Sequence, residues 1–332
     1  MEATNLAVFW ASVVGLSILI YVILDGFDLG VGILFGFAHD EPNRVQMLNT
    51  IAPFWDGNET WLVIIGASLF AAFPAVYAVF LGAFYIPVLL MLFGLIFRGI
   101  AFEFRQRTDH MRWLWDQGFS IGSTVVAFVQ GAAIGAMMRG IPVVDGHFAG
   151  HTFDWVHPFP ILTGIGLVFG YALLGATWIV YKSEGALRDW AYARILPLVI
   201  AVFIVLGLAF TASVTLDPGA IAQSNLLARG WGLVFPILGV AALVGVLVGA
   251  RARRDGMPYL FTALFFVASY LTLGVMFWPY MVPYSVTVAN AAAPDASLSF
   301  FFVGGVIVLP LILIYTLGVY RVFRGKRHRG YN

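Results

Sequence analysis

The chain has no cysteine, little charge, and no histidine in any stretch apolar enough to cross a membrane. Without cysteine there can be no disulfide, thiolate metal site or iron–sulfur cluster, and the redox compartment cannot be read. Only 11% of the 332 residues are charged and 61% are hydrophobic, whereas an ordinary soluble chain is about 25% charged. That balance excludes a soluble globular domain and points to an all-α integral membrane protein, read as a single polytopic domain over 1–332. A net charge of +1 carries no nucleic-acid signal. No glycine-rich phosphate loop, nucleophile triad or nucleotide fingerprint lies in a loop long enough to act. The opening MEATNLAVFW lacks a basic n-region and a small-residue cleavage site, so it reads as a retained first span and not as a signal peptide.

A helix needs roughly 20 apolar residues to cross the hydrocarbon. Nine spans are expected, at 6–34, 60–81, 83–105, 118–139, 160–181, 196–216, 230–250, 259–279 and 298–322. The uncharged run 61–97 would reach about 55 Å as one helix, too long for a single crossing of a ~30 Å core. A tight turn near Gly82, after Pro74, is expected to divide it. An odd number of spans puts the termini on opposite sides. Of the 18 basic residues, only Arg139 and Arg229 fall in one set of loops. Arg44, the Arg98–Arg112 group, Lys182, Arg188, Arg194, Arg251–Arg254 and the tail from Arg321 to Arg329 fall in the other. The excess of cations marks the cytoplasmic side, which sets the N-terminus outside and the C-terminus inside. The tail RVFRGKRHRGYN reads as a topology anchor at an anionic leaflet.

The acids stand out against this apolar background. Asp25 and Asp28 sit in ILDGFDLGVG, within the first span. Asp56 and Glu59 sit in APFWDGNETWL, at the inner start of the second, and Glu103 lies with Arg98 at the inner end of the third. Charged groups in the bilayer are costly and are functional-site candidates by default. Asp25 and Asp28, three residues apart, share a helix face, and all three elements bring acids to one depth near the cytoplasm. Desolvated carboxyl groups exchange protons near neutral pH, so the set suggests a route for protons or cations.

Structural readings compete with this one. Asp56-x-x-Glu59 is also an acidic variant of the capping box, Asp28 with Arg98 makes a structural ion pair, and Glu103 faces headgroups or water. Gly26, Gly30 and Gly32 suit close helix packing. Trp55 and Trp61 fit an aromatic belt at the inner interface. Pro279 and Pro283 in FWPYMVPYS end the eighth span.

A buried b-type haem needs axial ligands inside the bundle. His39, His110, His147, His151, His157 and His328 all fall in loops or the tail, while Met91, Met137 and Met276 read as packing. His147, His151 and His157, with Asp145 and Asp154, crowd the outer loop but match no zinc spacing, so no metal site is assigned. The residues thus show proton-handling groups without a redox centre.

DGFDLGVG, IAPFWDGNETWL, FRGIAFEFR and FWPYMVP, in this order from the first span to the ninth, closely resemble subunit II of the cytochrome bd quinol oxidases, the cyanide-insensitive type included. The first two motifs are specific and the later ones weaker alone. The resemblance implies two four-helix bundles plus one peripheral helix, and a haem-bearing subunit I as partner. That partner would hold the b-type and d-type haems and the quinol site, so this chain would ligate no cofactor and carry no catalytic residue. The complex would oxidise quinol and reduce oxygen to water with protons from the cytoplasm. By motif position Asp28 and Asp56 match acids of a proton path, with Asp25 and Trp55 beside them. Glu59 stands where some relatives carry glutamine. A structural quinone and a small single-span accessory subunit are further expected companions, in a bacterial inner membrane. The competing function is a stand-alone proton- or cation-coupled transporter, although no internal repeat is evident and the acids cluster toward one side.

Overall fold

The computed structural model describes residues 3–38, 40–107, 111–216, 226 and 229–326. His39, His110, His328, Arg327 and Arg329 lie outside them. The elements are α1 (Asn5–Phe35), α2 (Glu41–Ile51), α3 (Trp55–Ala72), α4 (Pro74–Ala83), α5 (Tyr85–Phe104), α6 (Arg112–Arg139), α7 (Pro158–Lys182), α8 (Gly185–Leu216), α9 (Val234–Arg251), α10 (Gly256–Phe277), the short α11 (Val288–Ala291) and α12 (Asp295–Val322). Two small antiparallel hairpins cap the loops: β1 (Val143–Val144) with β2 (His147–Phe148), and β3 (Tyr280–Val282) with β4 (Val286–Thr287). Among the described residues, eight helices are long and apolar enough to cross a membrane, and the bent α3–α4 pair makes up to nine.

The second expected span, 60–81, is not one helix. The chain is helical from Trp55, breaks at Phe73, and turns through 120° into α4. Pro74 is the cause: it has no N–H to continue the ladder, and it forces the preceding residue out of the helical region. Phe73 accordingly sits at φ −137°, ψ 60°. The turn expected near Gly82 is present two residues on: α4 ends at Ala83, Phe84 leaves the helical region at φ −117°, ψ 27°, and α5 starts at Tyr85, so the break at Phe73 is an additional one. The connection between α1 and α3, expected as a loop, carries α2, whose Pro42 stands in the first turn, where a missing N–H costs nothing.

The helix α1 is the central element, packed against α3, α6 and α7, with α12 leaning on α1 and α3. Every residue from Asp25 to Phe35 is buried. Glycine makes this possible. A Cβ on Gly30 would run into the Tyr171 carbonyl and Gly175 of α7, and one on Gly32 into Ser123 of α6. Apolar helices gain no hydrophobic advantage from meeting in lipid, so such close backbone contact supplies the van der Waals attraction that holds them.

Candidate proton-handling site

Three helices converge on the lower half of α1. The helices α5 and α6 touch at Gly94 and Gly122, where an added Cβ would stand 2.9 Å and 2.6 Å from the opposing carbonyl. This contact lets Arg98, one turn beyond Gly94, turn inward while Phe93, Ile96 and Phe97 remain on the exposed face. Arg98 is 1% exposed and donates from Nη1 to Asp25 Oδ1 at 2.9 Å, both groups being shut away from solvent. The ion pair expected at Asp28 is therefore formed by Asp25.

Asp28, also fully buried, takes a neutral partner: Asn58 Nδ2 donates to its Oδ2 at 2.7 Å. The same amide donates to the Leu24 carbonyl at 3.2 Å, and its Oδ1 accepts from the Tyr320 hydroxyl at 2.9 Å. One turn above, Tyr21 stands within the electrostatic reach of Asp25. Its hydroxyl accepts from Gln130 Nε2 at 2.8 Å, while Tyr171 donates to Gln130 Oε1 at 3.0 Å. Asp25 Oδ2, Asp28 Oδ1, Arg98 Nε and Arg98 Nη2 are buried without a protein hydrogen-bond partner. Buried polar atoms in folded proteins are satisfied by protein or by ordered water, so these atoms are places for water.

The other acids grade outward. Glu59 is half-buried and within electrostatic reach of Arg98, Asp25 and Asp56, and Asp56 is exposed on the first turn of α3. The N-cap of α3 is Phe54, so the capping box expected from Asp56 and Glu59 does not form; Asp56 instead sits where a negative charge favours the helix dipole. Trp55 is half-buried on Phe102, 5.1 Å between ring centroids. Trp61 is not in an interfacial belt: it is 2% exposed and packs with Tyr21 and Ile65. Glu103 points outward, 3.7 Å from Arg107, and does not join the site.

An aromatic floor closes the site. Phe27 stacks on Trp178 at 3.9 Å and Phe54 on Tyr320 at 4.6 Å. Lys182 lies 5.1 Å from the centroid of Trp178 and donates to the Phe323 carbonyl. Sequence reasoning missed Asn58, Tyr21, Gln130, Tyr171 and Tyr320. Two carried a signal: Tyr21 is one turn from Asp25, and Asn58 lies within the same DGNET run as Asp56. Gln130, Tyr171 and Tyr320 are isolated polar groups on apolar helices.

In the loop between α6 and α7, His147 Nδ1 meets the Asp145 carbonyl and Asp154 accepts from the His151 backbone N–H. Among the described residues no three His, Cys, Asp or Glu side chains gather as metal ligands do.

Comparison with known proteins gives a consistent set. Residues 6–323 match the family profile described as cytochrome bd terminal oxidase subunit II. The chain is 32% identical to cytochrome bd-I ubiquinol oxidase subunit 2 of Escherichia coli K12, over 96% of this chain and 94% of that one. It is 32% identical to cytochrome bd ubiquinol oxidase subunit 2 of Bacillus subtilis 168, over 96% and 95%. A chain of the bd oxidase of Geobacillus thermodenitrificans superposes with a TM-score of 0.80 at 15% identity, covering 96% of this chain and 99% of that one, a likeness of fold.

Proposed function

Because this chain belongs to the cytochrome bd terminal oxidase subunit II family, we propose that it works beside a haem-bearing subunit and conducts protons from the cytoplasm toward the oxygen-reducing centre there. The chain is a subunit of a membrane oxidoreductase, in a bacterial inner membrane, and its relatives are named as ubiquinol oxidase subunits. With that membership the stand-alone transporter reading loses its ground.

The observation that carries the reading is the graded row of acids. Asp56 is in contact with solvent, Glu59 is half-buried, and Asp25 and Asp28 are fully enclosed. Asp25 is tied to a permanent cation, because a guanidinium does not deprotonate in proteins, and serves as a fixed charge. Asp28 is held by a neutral amide and keeps one oxygen for a proton. Waters at the four unpartnered polar atoms would link the steps.

The haems and the quinol site belong to the partner, and this chain supplies no ligand. In support, the histidines among the described residues, His147, His151 and His157, lie between α6 and the start of α7, not within a spanning helix. Nine spans, in two four-helix bundles plus one peripheral helix with the N-terminus outside, remain our reading of the topology, the orientation supported by the one-sided basic loops. The exposed apolar side of α5, beside the site, suits a helical partner or lipid. A small accessory subunit and a bound structural quinone would be additions to this core.

The test is Asp28→Asn in the assembled complex. Oxygen reduction should slow by about a hundredfold or more, the range that positioned proton transfer contributes, while haem content and spectrum stay normal. Wild-type turnover in that variant would remove Asp28 from the path.

A further inference from the structure

The polar contacts around Asp28 have a direction that cannot be reversed. Asn58 carries two amide protons and one carbonyl oxygen. The Leu24 carbonyl is an acceptor only, so the nitrogen side of the amide must face it at 3.2 Å, and the second amide proton then points to Asp28 Oδ2 at 2.7 Å. That leaves Asn58 Oδ1 facing Tyr320, whose hydroxyl must donate, at 2.9 Å. Asp28 Oδ2 is therefore committed to an N–H, whereas Oδ1 is buried with no protein partner.

Tyr320 is itself held from two sides. Its ring stacks on Phe54. Just beyond it, Lys182 donates to the Phe323 carbonyl at 2.7 Å, and Lys326 pairs with Asp255. The last helix of the chain thus sets the height of a hydroxyl that fixes an amide on α3, which in turn fixes a carboxylate on α1.

We propose that Tyr320 and Asn58 are positioning residues for proton transfer, locking Asp28 so that its proton is gained and lost at Oδ1 alone. The step is balanced without a co-reactant beyond water: an O–H bond forms at Oδ1 as a hydronium gives up its proton, and the same bond breaks when the next water accepts it. The inference deepens the proton-path reading and rests on it. It gives α12, the last expected span, a part in the chemistry.

The experiment uses the intact complex with Tyr320→Phe, which keeps the ring and removes the hydroxyl. Oxygen reduction should fall by roughly two- to tenfold, the range one hydrogen bond carries, and the solvent deuterium isotope effect should rise. In the reduced-minus-oxidised infrared difference spectrum, the protonated-carboxyl band that Asp28→Asn abolishes should move. A merely structural tyrosine would shift neither the isotope effect nor that band. Unchanged turnover, isotope effect and band overturn the proposal. A second measurement covers failed assembly of the variant: in the unsubstituted complex, labelling asparagine with heavy nitrogen should shift an amide band in the same spectrum, and a silent amide region overturns the proposal. If Asp28→Asn itself turns over normally, the proton-path reading fails. If Asp28→Asn is slow and Tyr320→Phe is not, only the positioning role fails.

Discussion

Two clusters in this molecule use the same residue types and reach opposite ends. At the ends of α5 and α6, Asp116 accepts from Arg105 at one oxygen and from Arg44 at the other, the latter at 2.6 Å. Arg105 also grips Glu41 with two bonds, at 3.0 Å and 2.7 Å. Every carboxylate oxygen there has a donor. About one helix away, Asp25 has one oxygen paired with Arg98 and Asp28 has one oxygen paired with Asn58, and the others have no protein donor. A cluster in which each carboxylate oxygen already has a charged donor fits a structural role. An undersaturated one, buried more deeply, is costly to maintain and is left with atoms that can bind and pass a proton. On the proton-path reading we propose, the number of donors at each oxygen, more than burial or residue type, would separate structural acids from proton-carrying ones here.

Arg98→Met breaks the contrast most severely. It leaves Asp25 as an uncompensated buried charge, a loss of roughly 3–5 kcal/mol, so little assembled complex should be recovered and what remains should melt early. Asp116→Asn sharpens the comparison: the amide can accept from only one of Arg105 and Arg44, so one charge-assisted bond is lost at a cost of about 1.5–3 kcal/mol, seen as a lower unfolding temperature, while turnover per haem stays at the wild-type value. Turnover that fell with Asp116→Asn would erase the distinction between the clusters.

A pH series separates them further. Hydrogen bonds from Arg105, against the opposing effect of burial, hold Glu41 below the ordinary carboxylate range. A group depressed on folding contributes stability that is whole above its unfolded value of about 4.3 and is lost as pH falls through the folded value. Thermal stability of the wild type should therefore fall more steeply below about pH 4.3 than that of Glu41→Gln, by a small margin since Glu41 is half-exposed and screened. Parallel curves would show the Arg105 contact to be without net effect. The smallest effect is expected at the exposed pair of Arg253 and Asp189: Asp189→Asn should leave both melting and turnover unchanged, as most surface ion pairs do.

Much of this was legible in the chain itself. Long apolar runs fix the helices, and Asp25 and Asp28 declare themselves because nothing around them is polar. The choice of partner was not legible. Asp25 and Asp28 are three residues apart on one face, and which of them meets Arg98 depends on the height and rotation of α5, set by the Gly94–Gly122 contact. The turn near Gly82 was legible and falls at Phe84, whereas the further break at Phe73, which follows from the steric effect of Pro74 on its predecessor, was not anticipated. Asn58 drew no role from the sequence, although an amide offers both a donor and an acceptor and can therefore join two groups. Asp56-x-x-Glu59 fits the capping spacing, but the N-cap is Phe54, two residues earlier, and takes the motif out of register.

The order of synthesis gives the central helix a further consequence. The carboxylates of α1 emerge first, yet Asn58 follows Asp28 by 30 positions, Arg98 follows Asp25 by 73, and Tyr320 follows Asn58 by 262. Until Arg98 is made, the nascent chain holds a buried-to-be acid in its first inserted segment without its ion-pair partner, so that helix has reason to stay near the translocation machinery until α5 arrives. Only the final turns of the last helix complete what the first one began, and a ribosome that stops short of them releases a product whose defect lies at the opposite end of its sequence.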